Sequence, residues 1–192
     1  MKNPGLTANT EENFNLVSSL ILNCKLKNKI KTKIIAIDGY GGSGKSTFAK
    51  RLSQELRSCP IVHTDDFATW NNPLNWYPRM IKQVFTPLSK NKAAKYQRFD
   101  WVKGCLTDWL SIDPQEFVII EGVSSSRIEF REFLAFSIYI KTNRELCLQR
   151  GLERDGEDAL SQWVEWMKEE ENYHSENNPE AYADIIFSGQ SE

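Results

Sequence analysis

A chain of 192 residues, 40% hydrophobic and 26% charged, is long enough to bury one sizeable core and too ordinary in composition for a disordered, fibrous or membrane-embedded protein. Its formal net charge of −2 lacks the basic excess of a dedicated nucleic-acid binder, so the lysines around 25–33 and 90–95 read as solvated surface. Four widely spaced cysteines and only two histidines argue against a zinc site or a disulfide framework, and no apolar run reaches a membrane-spanning length; a cytoplasmic setting without a membrane or nucleic-acid partner is expected.

Residues 1–10 are polar and contain Gly and Pro, which predicts a flexible tail, and residues 11–192 read as one domain. Phe14, Val17, Ile21 and Cys24 form an apolar stripe at helical spacing. Lys33 to Asp38 is a short β-branched run, predicted as a buried strand. Gly39-Tyr40-Gly41-Gly42-Ser43-Gly44-Lys45-Ser46 then completes the pattern G-x-x-x-x-G-K-[ST], followed by a predicted helix from Thr47 to Ser58 with Phe48, Leu52 and Leu56 on one face. Glycines in such a loop aim backbone N–H groups at one point, and the helix N-terminus adds partial positive charge. Residues 39–47 are therefore expected to cradle the phosphates of a nucleoside triphosphate, with Lys45 reaching the outer phosphates and the Ser46 hydroxyl available to Mg²⁺.

Further along, Pro60 to His63 is a second predicted strand, ending in Thr64-Asp65-Asp66-Phe67. Residues 68–78 are rich in Trp, Asn and Pro and read as a loop; a short helix over 79–85 is predicted to stop at Pro87. Arg98-Phe99-Asp100-Trp101 leads into what the spacing of Val102, Leu106, Trp109 and Leu110 predicts as another helix. Strands are predicted at 117–120, 136–140 and 183–187, with helices at 143–152 and 160–173. Alternating strands and helices imply an α/β fold: a five-stranded parallel sheet in three layers, helices on both faces, ligands at the carboxyl ends of the strands. The phosphate loop, Asp65-Asp66 and Glu121 all fall at such ends.

Phosphoryl transfer needs a base near the acceptor hydroxyl, a divalent metal and cations on the developing charge. Asp65 and Asp66 are candidates for the base, although an Asp pair also suits a turn or helix cap. Glu121 ends an apolar strand where it could support the metal, and Asp38 reads as a structural acceptor for loop backbone. Arg150 and Arg154, four apart on one helix, present two guanidiniums near Gly151 and Gly156, which suggests a lid over about 144–158. Arg127, after three serines, could meet an anionic substrate group or be an ordinary arginine. Trp70, Trp76, Tyr77 and Trp101 could stack on a flat ligand, whereas Trp163, Trp166 and Met167 read as the buried face of a late helix.

The strand–loop start, Asp65-Asp66-Phe67, Arg98-Phe99-Asp100-Trp101, Glu121-Gly122-Val123 and the Arg150-to-Asp155 segment occur in an order that resembles the uridine kinase-like branch of P-loop kinases, which also includes phosphoribulokinase and pantothenate kinase. The resemblance runs from about Lys33 to Gly189. It implies a P-loop kinase fold with a small helical lid, ATP and Mg²⁺ as cofactors, and transfer to a hydroxyl of a small molecule such as a nucleoside. It also implies roles: Asp65 as the catalytic carboxylate, Lys45, Arg150 and Arg154 on the phosphates, Phe99-Asp100 on a ribose. Asp66, Phe67 and Arg127 are further candidates for the substrate side. Ala68 stands where the family has tyrosine, and the lid carries fewer arginines; both departures fall on substrate recognition. Two other readings stay open: a nucleoside monophosphate kinase, and an ATP-dependent switch without a small-molecule acceptor. The sequence leaves homo-oligomerisation open.

Overall fold

The computed structural model describes residues 10–25, 31–69 and 72–190; most of the expected tail, and Trp70, lie outside them. At the centre, β1 (Lys33–Asp38) and β5 (Phe117–Glu121) are buried along their whole length. That burial is what near-continuous runs of Ile, Val and Phe dictate for a sheet covered on both faces. With β2 (Ile61–His63), β6 (Leu134–Lys141) and β7 (Ile185–Ser188) they form a five-stranded sheet in the order β2-β5-β1-β6-β7. Every neighbouring pair is parallel.

Alternation along the strands divides the apolar residues between two cores. Ile35, Ile37, Ile119, Ile138 and Ile140 face α1 (Glu11–Asn23) and α2 (Lys45–Glu55), which contribute Phe14, Val17, Ile21, Phe48 and Leu52. Ile34, Ala36, Val62, Val118 and Ile120 face the other way, onto Met80, Val84, Phe85 and Phe130. The chain continues through α5 (Arg144–Asp155), α6 (Leu160–Asn177), whose Tyr173 and Glu170 reach the end of β1 and the loop after it, and α7 (Pro179–Tyr182), whose Tyr182 packs on the second core.

Two expectations fail here. Residues 101–110 are not helical: β3 (Ala94–Asp100) and β4 (Cys105–Ile112) make an antiparallel hairpin outside the main sheet. The Asp100 carboxylate accepts from the Val102 and Lys103 amides, and Gly104, at φ +65°, donates to the Asp100 carbonyl and closes the turn. That local bonding defeats a helix, and most of the supposed apolar stripe stays uncovered: Val102 is 98% and Trp109 62% exposed, while Leu110 packs on the core. Nor does Pro87 stop the preceding helix. α3 (Tyr77–Met80), a π-helical stretch (Ile81–Phe85) and α4 (Thr86–Ser89) run on as one rod. The wider π turn, with Thr86 N donating to Ile81 O, makes room for a ring that would clash with an ordinary α turn.

Candidate functional site

The carboxyl ends of β1, β5 and β2 lie side by side, and their register sets Glu121 between Ile37 and His63. The phosphate loop leaves β1 and wraps onto the first turn of α2. Gly42 holds φ +76°, and a Cβ there would drive into the Cys147 carbonyl, so the loop's path requires glycine at this point. Asp38 anchors the loop from below. Its carboxylate accepts from Gly39 N (2.7 Å), Ser124 N (3.2 Å), Ser126 N (2.9 Å), Ser126 Oγ (2.7 Å) and the Tyr173 hydroxyl (2.6 Å), which is the structural role its position suggested. Burial, then the Asp38 charge, push the Tyr173 phenol well above its ordinary pKa, so it stays a donor.

A single cleft runs over the loop, lined by Gly41, Lys45, Ser46, Asp65, Glu121 and Arg154 among others. Lys45 folds back, its Nζ donating to Tyr40 O at 2.7 Å. Ser46 Oγ donates to Glu121 Oε1 at 3.1 Å, and Glu121 Oε2 lies 2.7 Å from His63 Nδ1. Burial alone would raise Glu121; the His63 bond and the nearby Lys45 outweigh it and hold the carboxyl below its usual range. The same bond raises His63. A hydroxyl and an ionised carboxylate at this spot are hard oxygen donors of the kind Mg²⁺ takes, one or two at a time, beside phosphate oxygens. Among the described residues no cluster of three or more His, Cys, Asp or Glu forms an all-protein cage.

The geometry separates the two adjacent aspartates. Asp66 is buried: its carboxylate accepts from the Tyr96 hydroxyl at 3.2 Å and its carbonyl from Arg79. The Asp65 carboxylate has no hydrogen bond or ion pair among the described residues and opens into solvent inside the cleft. Enclosure by the cleft walls, then the Glu121 charge, push its pKa up against Lys45, His63 and Arg154. Asp65 also lines a second hollow, with Thr64, Leu74, Trp76, Trp166 and Glu169, which opens beside the phosphate cleft.

Arg150 and Arg154 both line the phosphate cleft. Arg150 donates to Gly189 O at 3.1 Å, and Arg154 pairs with Asp155 at 2.7 Å. Other candidates stand elsewhere. Phe67 is core, stacked on Tyr96 with ring centroids 5.0 Å apart and covered by Arg79. Phe99 is buried edge-on to Trp101, and Asp100 is committed to its own turn. Arg127 is buried, its guanidinium held by Glu129, the Leu74 carbonyl and the Tyr77 ring, so no free charge is offered to a substrate. Of the late-helix residues read as a buried face, Trp163 is buried, lying against Gly41 and Gly151, while Trp166 and Met167 are half-buried; Trp163 and Trp166 also form part of the cleft wall. Gly151 is thus a close packing contact for the Trp163 ring.

Sequence reasoning missed His63 and Glu170. His63 had only its place before Asp65 as a signal. Glu170 sits in a run of three glutamates with nothing to distinguish it; the fold brings it to the Gly41 amide from 129 residues away.

A family model described as an AAA domain matches residues 35–178. Among curated proteins, a uridine kinase of Enterobacter sp. (strain 638) is 25% identical over 146 residues, covering 64% of this chain and 68% of that protein. A uridine kinase of Macrococcus caseolyticus is 21% identical over 182 residues, covering 82% and 88%. Among solved structures, one described as a possible uridine kinase from Bacillus stearothermophilus superposes with a TM-score of 0.70 at 23% identity, covering 92% of this chain and 97% of that one. The chain belongs to this AAA-domain family of P-loop proteins and is similar to uridine kinase-like kinases.

Proposed function

We propose that this protein is an ATP- and Mg²⁺-dependent phosphotransferase that phosphorylates a hydroxyl of a small molecule, a nucleoside or a compound shaped like one. The observation that carries the reading is Asp65: an unpaired carboxylate lining both the phosphate cleft and the hollow beside it. A base for an acceptor hydroxyl has to stand where donor and acceptor meet. The names of the relatives, uridine kinases, support the same class of acceptor.

Mg-ATP, when bound, supplies the terminal phosphoryl group and neutralises its charge. The phosphate-loop amides and Lys45 would hold the phosphates, Ser46 and Glu121 would hold the metal, and His63 keeps Glu121 ionised and oriented. Asp65 takes the proton from the acceptor hydroxyl as its oxygen forms the new P–O bond and the ADP oxygen leaves. Arg150 and Arg154 lie on the cleft wall where charge develops. The adenine ring of ATP would have room on the far side of Gly44, in a hollow lined by Thr47, Phe48, Arg150 and Phe187.

The acceptor hollow argues for a hydroxyl over a phosphate acceptor. Among the described residues, Asp65, Glu169 and Glu170 line this hollow and no lysine or arginine does, so a phosphate entering it would meet carboxylates; the wider hollow on the Trp163 side of Asp65 carries Arg154, paired with Asp155. A switch without an acceptor would not need the hollow at all. The test is acceptor-dependent ADP release over a panel of neutral, cationic and anionic alcohols and nucleosides. Turnover with neutral or cationic nucleosides and none with monophosphates is expected; release stimulated only by monophosphates, or by no acceptor, would contradict the proposal.

A further inference from the structure

The buried stripe of α6 consists of Trp163, Glu170, Tyr173 and Asn177, so one carboxylate is carried into the interior among aromatic and amide side chains. Glu170 Oε1 accepts from Gly41 N at 2.9 Å, and Arg144 Nη1 donates to Oε2 at 2.8 Å. Arg144 in turn covers the Tyr40 ring at 3.7 Å, and Tyr40 stacks on His174 with centroids 3.9 Å apart. An anion thus already sits on an amide of the loop built to hold anions.

Its location is specific. Glu170, Asp65, Val123 and Trp166 are shared by the phosphate cleft and the acceptor hollow. The group in transit between donor and acceptor must pass this junction, while the inner phosphates lie back toward Gly44, Lys45 and the α2 N-terminus. One N–H cannot serve a carboxylate and a terminal phosphate together, and in an enclosed cleft the two anions repel.

We infer that Glu170 is a terminal-phosphate gate: it holds the Gly41 amide when the cleft is empty or carries a diphosphate, and yields that amide to the terminal phosphate of a triphosphate. Glu170 is a specificity-determining residue in this scheme, and Arg144 is its anchor. Because α6 also carries Trp166 into the acceptor hollow, releasing Glu170 couples loading of the donor to the shape of the acceptor site. The inference rests on the proposed triphosphate site.

The experiment is calorimetric binding of Mg-ADP and a non-hydrolysable Mg-ATP analogue to the wild type, Glu170→Gln, and the double variant Glu170→Gln/Arg144→Gln. Removing the competing charge should raise the preference for the analogue over ADP by about 10-fold. The preference should persist in the double variant, where the pair's net charge equals that of the wild type. An unchanged or lowered preference in Glu170→Gln, or a gain that vanishes in the double variant, would overturn the gate. If the variants do not fold, the ¹⁵N-labelled wild type decides: the Gly41 amide resonance should stay near its nucleotide-free position with ADP and move with the analogue. Equal movement with both would overturn the gate alone; binding of neither nucleotide would overturn the triphosphate site and the gate with it.

Discussion

The two sides of the cleft are built by opposite strategies. On the donor side, β1, the phosphate loop and α2 follow one another within 23 residues, and the loop's path is drawn by its own glycines, with Asp38 and its distant donors bracing it from below. On the acceptor side, the hollow draws on Thr64 and Asp65, on Leu74 and Trp76, and on Trp166, Glu169 and Glu170 of α6, a span of more than 100 residues. The donor side is a fixed device for binding phosphate; the acceptor side is an assembly whose shape depends on how far-apart segments dock. Chemistry should therefore fail outright when the donor side is altered, and selectivity should drift when the acceptor side is.

The largest effect is expected at Lys45. Lys45→Ala should lower turnover by about 10³-fold with the fold intact by circular dichroism, because the outer phosphates lose their cation; retention of a tenth of the activity would break the comparison. Asp65→Asn should lower transfer by about 10²–10⁴-fold with nucleotide affinity nearly unchanged. Its raised pKa fixes two further signs. A base must be deprotonated, so the acid limb of kcat/KM should lie above the ordinary carboxylate range and disappear in the variant. A carboxyl whose folded-state pKa exceeds its unfolded value costs stability once pH rises above both, so Asp65→Asn should raise, not lower, Tm at pH 7.

Stability should depend most on the donor side. Asp38→Ala leaves five inward donors without their acceptor and should cost about 3 kcal/mol in denaturant unfolding, whereas Tyr173→Phe, which removes one of them, should cost about 1 kcal/mol. Equal costs would mean that Tyr173, not the whole set, holds Asp38. Smaller and confined to the acceptor is Glu169→Lys on the exposed rim of the hollow: nucleotide affinity should hold, while KM for a neutral or cationic acceptor rises about 3- to 10-fold. The smallest effect is expected at Trp109, exposed on the hairpin, where Trp109→Ser should stay within about 0.5 kcal/mol of wild-type stability.

What could be read from sequence follows the same division. The central strands, the loop and α2 were legible because β-branched runs, a local motif and a helical stripe each carry their own signal. Asp38 was readable as structural from its place between strand and loop. Residues 94–112 were not legible, since the spacing of Val102, Leu106, Trp109 and Leu110 fits a helix as well as a hairpin, and the decision lay with the Asp100 turn closed at Gly104. Pro87 misled because a π turn absorbed it. Phe67 and Arg127 had the residue types of a binding site but are used for packing and for holding the Leu74 carbonyl. Glu170 required the docking of α6 against the loop, which no local pattern encodes.

In the proposed reaction Asp65 works where the two sides meet. The most direct measurement is acceptor-dependent ADP release by wild type and Asp65→Asn side by side, with nucleotide binding determined on the same preparations. Release abolished in the variant while nucleotide still binds is the predicted result. Full acceptor-dependent release by Asp65→Asn would contradict the account, whatever the acceptor turned out to be.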